Sequence, residues 1–168
     1  MTRTSHTSFK MMSFVHETLY GLFRDPYKAL HAAGLQTGQA VLEVGCGPGF
    51  FTVPAAEIVG ETGSLLSLDV NPLAVKHVYD KVKAAGVTNT WVIAANAAQT
   101  DLPDAGFDLV FVFGLGRPVG DLEAMWAELH RLIKPQGILS IEGRLRPPEQ
   151  LFRFTKRQGR VVQFRKAG

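Results

Sequence analysis

Residues 41–52 read VLEVGCGPGFFT: an apolar run, then glycines at 45, 47 and 49, then a second apolar stretch. Few folds accommodate such a segment. The apolar run reads as a buried strand, and the residues after the glycines open a helix. Gly45, Gly47 and Gly49 permit a sharp turn and let bare backbone approach a ligand closely, while Pro48 holds the turn. The first N–H groups of the helix are unpaired and carry the positive end of its dipole. They therefore attract an anionic group such as a carboxylate.

Apolar runs and helical stretches alternate along the rest of the chain. Strands are expected at Ala40–Gly45, Ser64–Val70, Thr90–Asn96, Phe107–Gly114, Gly137–Gly143 and Arg160–Lys166. Helices are expected at Phe50–Val59, Pro72–Ala85, Gly120–Ile133 and Pro148–Gln158. A shorter helix should run from Pro26 to Ala33, with Asp25 as its N-cap and Gly34 as its stop. Runs such as FDLVFVFG are apolar almost throughout, as in strands covered on both faces. Strands alternating with helices of this length imply β-α-β units, a parallel sheet and an α/β fold. The final segment follows the same logic: Pro148–Gln158 is a crossover helix, and Arg160–Lys166 is a sixth strand parallel to Gly137–Gly143. The expected order is 3-2-1-4-5-6.

The glycine spacing is G-x-G-x-G, whereas the dinucleotide fingerprint is G-x-G-x-x-G. The tighter loop suits a nucleoside with an amino-acid tail better than a pyrophosphate. Asp69 ends the second strand in LLSLDVNP, 20 residues past Gly49. A carboxylate there can accept hydrogen bonds from both ribose hydroxyls, whether of NAD or of another nucleoside cofactor. Asn71, immediately before Pro72, is the better helix cap, which leaves Asp69 for a ligand.

Together with LSLDVNP at 66–72, FDLVFVFG at 107–114 and ELHRLIKPQGILSIEG at 128–143, the glycine segment resembles the class I S-adenosylmethionine-dependent methyltransferases of the small stand-alone, small-molecule type. The resemblance covers roughly residues 25–145. It implies a Rossmann-like three-layer sandwich with a mostly parallel sheet and a shortened C-terminus, because the family commonly adds two strands there. It also implies S-adenosylmethionine as cofactor, with S-adenosylhomocysteine as product. By position, Glu43, Gly45, Gly47 and Gly49 would hold the methionyl tail, Asp69 and Val70 the ribose, and Asn96 and Ala97 the adenine. Cys46 and Phe113 complete the candidate cofactor-contacting set. Asn96 stands where the family usually has an acidic residue, and its amide oxygen can still accept from the adenine amine.

No catalytic residue stands out. Methyl transfer to a good nucleophile needs alignment more than acid–base help. His16, Tyr20 and Tyr27 lie in a segment that resembles a lid, though aromatic packing on an amphipathic helix accounts for them as well. His31, His77 and His130 are expected to be solvated. Metal-ligand spacing is absent, and Cys46, the one cysteine, reads as filler and excludes an internal disulfide. Residues 1–13 lack the apolar stretch of a signal peptide, and no run suits a membrane span. The expectation is a cytoplasmic chain with a disordered segment at 1–12 and a single methyltransferase-like domain at 13–168.

Charge is uneven. Residues 1–143 carry ten basic and fourteen acidic side chains, whereas residues 144–168 carry eight and one. This basic segment leaves an RNA or protein acceptor as an alternative to the favoured small molecule. A non-catalytic S-adenosylmethionine-binding module is a further alternative. A nucleic-acid partner is not favoured, because basic and apolar residues interleave as in a folded element. The segments that recognise substrate in such enzymes are short here, so a homodimer is one way to complete the pocket.

Overall fold

The computed structural model describes residues 25–115 and 120–168. Among these, seven strands form one sheet in the order β3-β2-β1-β4-β5-β7-β6. The strands are β1 (Ala40–Val44), β2 (Ser64–Asp69), β3 (Thr90–Ala94), β4 (Phe107–Phe113), β5 (Ile133–Glu142), β6 (Phe152–Gln158) and β7 (Val161–Lys166). The helices are α1 (Pro26–Ala33), α2 (Thr52–Val59), α3 (Pro72–Ala84) and α4 (Leu122–Leu132). Strands β1 to β5 are mutually parallel. The architecture is the expected Rossmann-like α/β sandwich.

Alternation along the strands decides which helix covers which face. Val41, Leu65, Leu109, Phe111 and Phe113 point to α1 and α2, where Leu30, Ala33, Ala55 and Val59 meet them. Leu42, Val44, Val110, Val112, Leu139 and Ile141 point the other way, onto Met125, Trp126, Leu129 and Leu132 of α4. The caps follow the sequence. Asp25 accepts from the N–H groups of Tyr27 and Lys28, with Gly34 left-handed at the far end of α1. Asn71 accepts from Leu73 N–H ahead of α3. Two buried side chains then anchor α1 to the sheet: Ser140 Oγ donates to Ala33 O at 2.6 Å, and Gln163 Nε2 donates to Ala32 O at 2.7 Å.

The C-terminal expectation is overturned. Residues 152–158 form strand β6 and not a helix, and β7 runs antiparallel to both β5 and β6. Leu139 pairs with Phe164 and Ile141 with Val162. The physical reason lies in FRFTKRQ–GR–VVQFRK. Gln158 pairs with Val161, which leaves Gly159-Arg160 as a two-residue loop. Gly159 has φ +59°, at the position that a type II′ turn gives to glycine. The hairpin also carries Phe152, Val162 and Phe164 into the cluster under α4, where a crossover helix would have left β7 a lone edge. Arg153, Lys156 and Arg157 are exposed along β6, and such charges discourage further strand pairing.

Candidate functional site

The parallel strands end level with one another. Val44 pairs with Leu68 and with Val112, so the next residues, Gly45, Asp69 and Phe113, stand in one row at the carboxyl edge. The glycine loop turns there. The N–H groups of Gly45 and Cys46 donate to Leu68 O at 2.8 and 3.1 Å, and Gly49 N–H closes the turn onto Cys46 O. The φ values of Gly45, Gly47 and Gly49 are +73°, +51° and +78°. Asp69 locks the loop to β2: Oδ2 accepts from Gly47 N–H and Oδ1 from Asn71 N–H, both at 2.9 Å. Lys81 of α3 donates to the Pro48 and Gly49 carbonyls on the opposite side.

The three glycines differ in what surrounds them. A Cβ on Gly47 would meet nothing within 4 Å, so the loop there faces open space. On Gly49 it would come within 2.9 Å of Val78, so that glycine admits α3. On Gly45 it would strike Leu115, whose side chain lies against the loop.

Beneath the loop Glu43 is buried. One of its oxygens accepts from both Thr52 Oγ1 and Ser67 Oγ, each at 2.7 Å. Burial pushes its carboxyl up to about 7, against the pull of the Ser67 and Thr52 hydroxyls. The Cys46 thiol is also pushed up, first by burial and then by the Glu43 and Asp69 charges. It stays protonated and unreactive among Val78 and Val82.

A cleft of about 120 Å³ lies over this edge. Of the residues expected from sequence, Gly45, Asp69, Val70, Asn96 and Ala97 line it. Gly47 stands beside it through its bond to Asp69. Glu43 and Cys46 lie under the loop, and Gly49 faces α3. Phe113 is in the core, against Phe51 and Phe111 at ring distances of 5.2 and 5.1 Å. Sequence reasoning missed Leu68, Leu115 and Met125, which supply apolar lining. Leu115 had a signal, being the apolar residue directly after the Gly114 turn. Met125 is one turn into an amphipathic helix and reads as core.

Tyr27 donates its hydroxyl to Glu57 of α2 and sits on the helical layer. His16 and Tyr20, and the segment 1–12, lie outside the described residues. His31 is exposed as expected, but His130 is not solvated. Its ring packs edge-on against Phe152, and Nε2 lies 3.1 Å from Ala167 O. The β6–β7 hairpin, unforeseen from sequence, is what covers it. No group of three or more metal-ligating side chains occurs among the described residues, and no helix there is long and apolar enough to cross a membrane.

The chain is similar to several known proteins. The demethylmenaquinone methyltransferase of Geobacillus stearothermophilus is 41% identical over 105 residues, which is 62% of this chain and 44% of that one. The ubiquinone/menaquinone biosynthesis C-methyltransferase of Citrobacter koseri is 32% identical over 133 residues, 78% of this chain and 51% of that one. The chain thus spans about half the length of the curated relatives it matches. In fold it resembles a SAM-dependent methyltransferase from Aquifex aeolicus, with a TM-score of 0.78, 24% identity and 98% of both chains covered. A model of the methyltransferase domain matches residues 41–137, from the second residue of β1 through the glycine loop and Asp69 to Pro135-Gln136-Gly137 near the start of β5. With more than half of its length matched, and with the loop and sheet edge built as described, this chain belongs to the methyltransferase-domain family.

Proposed function

We propose that this chain binds S-adenosylmethionine at the carboxyl edge of β1 to β3 and transfers its methyl group to a small-molecule acceptor. The observation that carries the reading is the joint geometry of Gly47 and Asp69. Gly47 has open space where a side chain would be, and a carboxylate is fixed beside it. Each carboxylate oxygen of Asp69 has a second lone pair beyond the one used by Gly47 or Asn71, so it can also accept a ribose hydroxyl. Asn96 and Ala97 flank the far side of the cleft, where the adenine would lie. The Gly45–Gly49 backbone would hold the amino-acid tail, with Glu43 behind it. When bound, the cofactor supplies an electrophilic methyl group on a sulfonium. The chain's own part is to hold, orient and keep water from that group. The apolar side chains of Leu68, Leu115 and Met125 suit the last task.

Support for a small-molecule acceptor comes from the relatives, whose names specify demethylmenaquinone and ubiquinone/menaquinone biosynthesis. We extend that class to this chain, taking the reduced, hydroxyl-bearing quinol ring as the acceptor. The test is calorimetric titration with S-adenosylhomocysteine and with NAD, followed by labelled methyl transfer to a panel of quinols and phenols. Tighter binding of NAD overturns the cofactor. Transfer to RNA or protein but to no small molecule overturns the acceptor.

A further inference from the structure

The basic segment, residues 144–168, folds as the β6–β7 hairpin and the loop before it. Its outer strand, β6, is the edge of the sheet opposite β3. Five strand steps separate β6 from β2, about 24 Å at about 4.8 Å per strand, so this edge stands apart from the cleft at Asp69.

Register decides what the edge displays. Phe154 pairs with Phe164, and Arg157 with Val162. Phe164 and Val162 both belong to the cluster under α4, so Phe154 and Arg157 share that face. In an unbroken ladder two residues an odd number apart point to opposite faces. The bulge between Phe154 and Lys156 supplies the extra residue that turns Arg157 onto the face of Phe154. Thr155 Oγ1 fastens the bulge by donating to Gln163 O at 3.0 Å. The two side chains thus start about 7 Å apart on the sheet surface, two residues' rise along β7.

Both line a concavity of about 490 Å³, floored by Val162 and Phe164. Phe154 is 63% exposed, its ring crossing that of Phe164 at 6.3 Å. Arg146, Arg153 and Arg157 line the concavity against one acid, Glu149. Among the described residues none of the three arginines is ion-paired. Arg146 is steadied by its own loop, donating to Leu145 O at 2.6 Å. Arg153 also borders a second hollow beside Arg165, so the positive charge continues over the edge of the strand.

Charges alone protect an edge strand from further pairing. That task asks neither for an uncovered phenyl ring among them nor for a bulge that brings Arg157 beside it. Guanidinium groups around an exposed aromatic face suit a ligand that alternates flat rings with anionic groups. We propose that this face binds single-stranded nucleic acid, with a base stacked on Phe154 and the flanking phosphates held by Arg146, Arg153 and Arg157. A nucleotide held there lies beyond reach of a methyl group at the Asp69 cleft, so the strand is a tethered partner and not the acceptor. A duplex keeps its bases stacked on one another and has none to offer Phe154. A bilayer is entered by apolar groups to a depth of about 5–10 Å. The projecting end of this hairpin is Gly159-Arg160, while Phe154 lies back within the concavity. A second copy of the chain would set arginine against arginine.

Fluorescence anisotropy of a labelled uridylate dodecamer with the full chain tests this. The dodecamer should bind about tenfold or more tightly than a duplex of the same length, because stacking needs a free base. Its affinity should fall about 20-fold between 50 and 200 mM salt, as three neutralised phosphates require. Phe154→Leu keeps apolar bulk but removes the stacking face, and should weaken binding about tenfold with the salt slope unchanged. Phe154→Trp should restore it. Arg157→Gln should lessen the salt dependence by about one phosphate. Both positions are exposed, so these variants keep the fold. Equal binding of the duplex overturns the proposal, as does binding unmoved by both Phe154→Leu and Arg157→Gln. Uridine monophosphate competing as well as the dodecamer also overturns it, leaving a mononucleotide pocket. Capture of the chain by phosphatidylserine vesicles with no binding of the dodecamer overturns it in favour of a lipid surface.

Discussion

Oδ2 of Asp69 accepts the backbone N–H of Gly47 at 2.9 Å, across 22 residues of sequence. One carboxylate therefore sets the shape of the glycine loop and faces the cleft. Replacing it should affect both. Asp69→Ala is expected to weaken S-adenosylhomocysteine binding by about 1.5–3 kcal/mol, the range for a hydrogen bond to a charged group. Calorimetry on a folded variant measures this directly. An unchanged dissociation constant would reduce Asp69 to a structural clamp.

Gly47 and Gly49 should respond differently to side chains. Around Gly47 a Cβ finds open space, so the cost to folding of Gly47→Val comes from φ +51° alone, about 1–3 kcal/mol. Its cost to cofactor binding should be complete. Gly49→Ala drives a Cβ to within 2.9 Å of Val78 and should lower the melting temperature through displaced packing. Comparing melting curves and titrations of the two variants checks the division. Normal binding by Gly47→Val would remove the loop from the site.

Glu43 makes stability depend on pH near neutrality. Its folded carboxyl titrates at about 7, above its ordinary 4.5, because burial disfavours the charge. Between these values the folded chain holds a proton that the unfolded chain has released. The contribution is therefore full below pH 4.5 and is lost as pH rises through 7. Glu43→Gln should flatten the fall in unfolding free energy between pH 5 and 8, by at most about 3 kcal/mol. Urea denaturation of both proteins across that range is the measurement, and parallel profiles would refute the assignment.

The opposite sign applies at Glu128 of α4. Hydrogen bonds from Arg131, then from Thr100, hold its carboxyl down to about 2. That stabilisation is present above the ordinary 4.5 and is lost as pH falls toward 2. Arg131 also donates to Leu102 O and to Asp104, tying residues 100–104 to the helix. Arg131→Ala should lower stability at pH 7 and soften the loss on acidification. An acid-unfolding midpoint identical to that of the parent would contradict the linkage.

The parallel half of the sheet was legible in sequence because its strands are bounded by strong punctuation. Asn71-Pro72 starts α3 as written, and Asp25-Pro26 starts α1. The C-terminal hairpin was not. Leu151, Phe152 and Phe154 suit a helical face, and only Phe152 and Phe154 alternate as in a strand. A bulge between Phe154 and Lys156 then breaks the period of two. An edge strand also has one row of backbone groups in solvent, so its exposed side chains blur the pattern further. The Gly159-Arg160 loop was the signal to trust. At the candidate site, the glycine turn and Asp69 at the end of β2 were readable because a tight left-handed turn and an acidic strand end each need particular residue types. Phe113 was not, because an aromatic at a strand end serves core and cleft alike and only packing decides.

The two hydrogen bonds that fasten α1 to the sheet span 107 and 131 residues. Loops that long must close before either bond contributes, and such distant pairings slow folding. The early helix therefore packs on β1, β4 and α2 first, and is fastened only when β5 and β7 exist. During synthesis the glycine segment and its neighbouring strands can pair first, while α1 waits for residue 163 to leave the ribosome. The order in which the chain is made and the order in which it locks are thus opposed: the first described helix receives its last two anchors from β5 and β7, and a nascent chain stopped short of β7 lacks the Gln163 hydrogen bond to α1 for as long as it remains stalled.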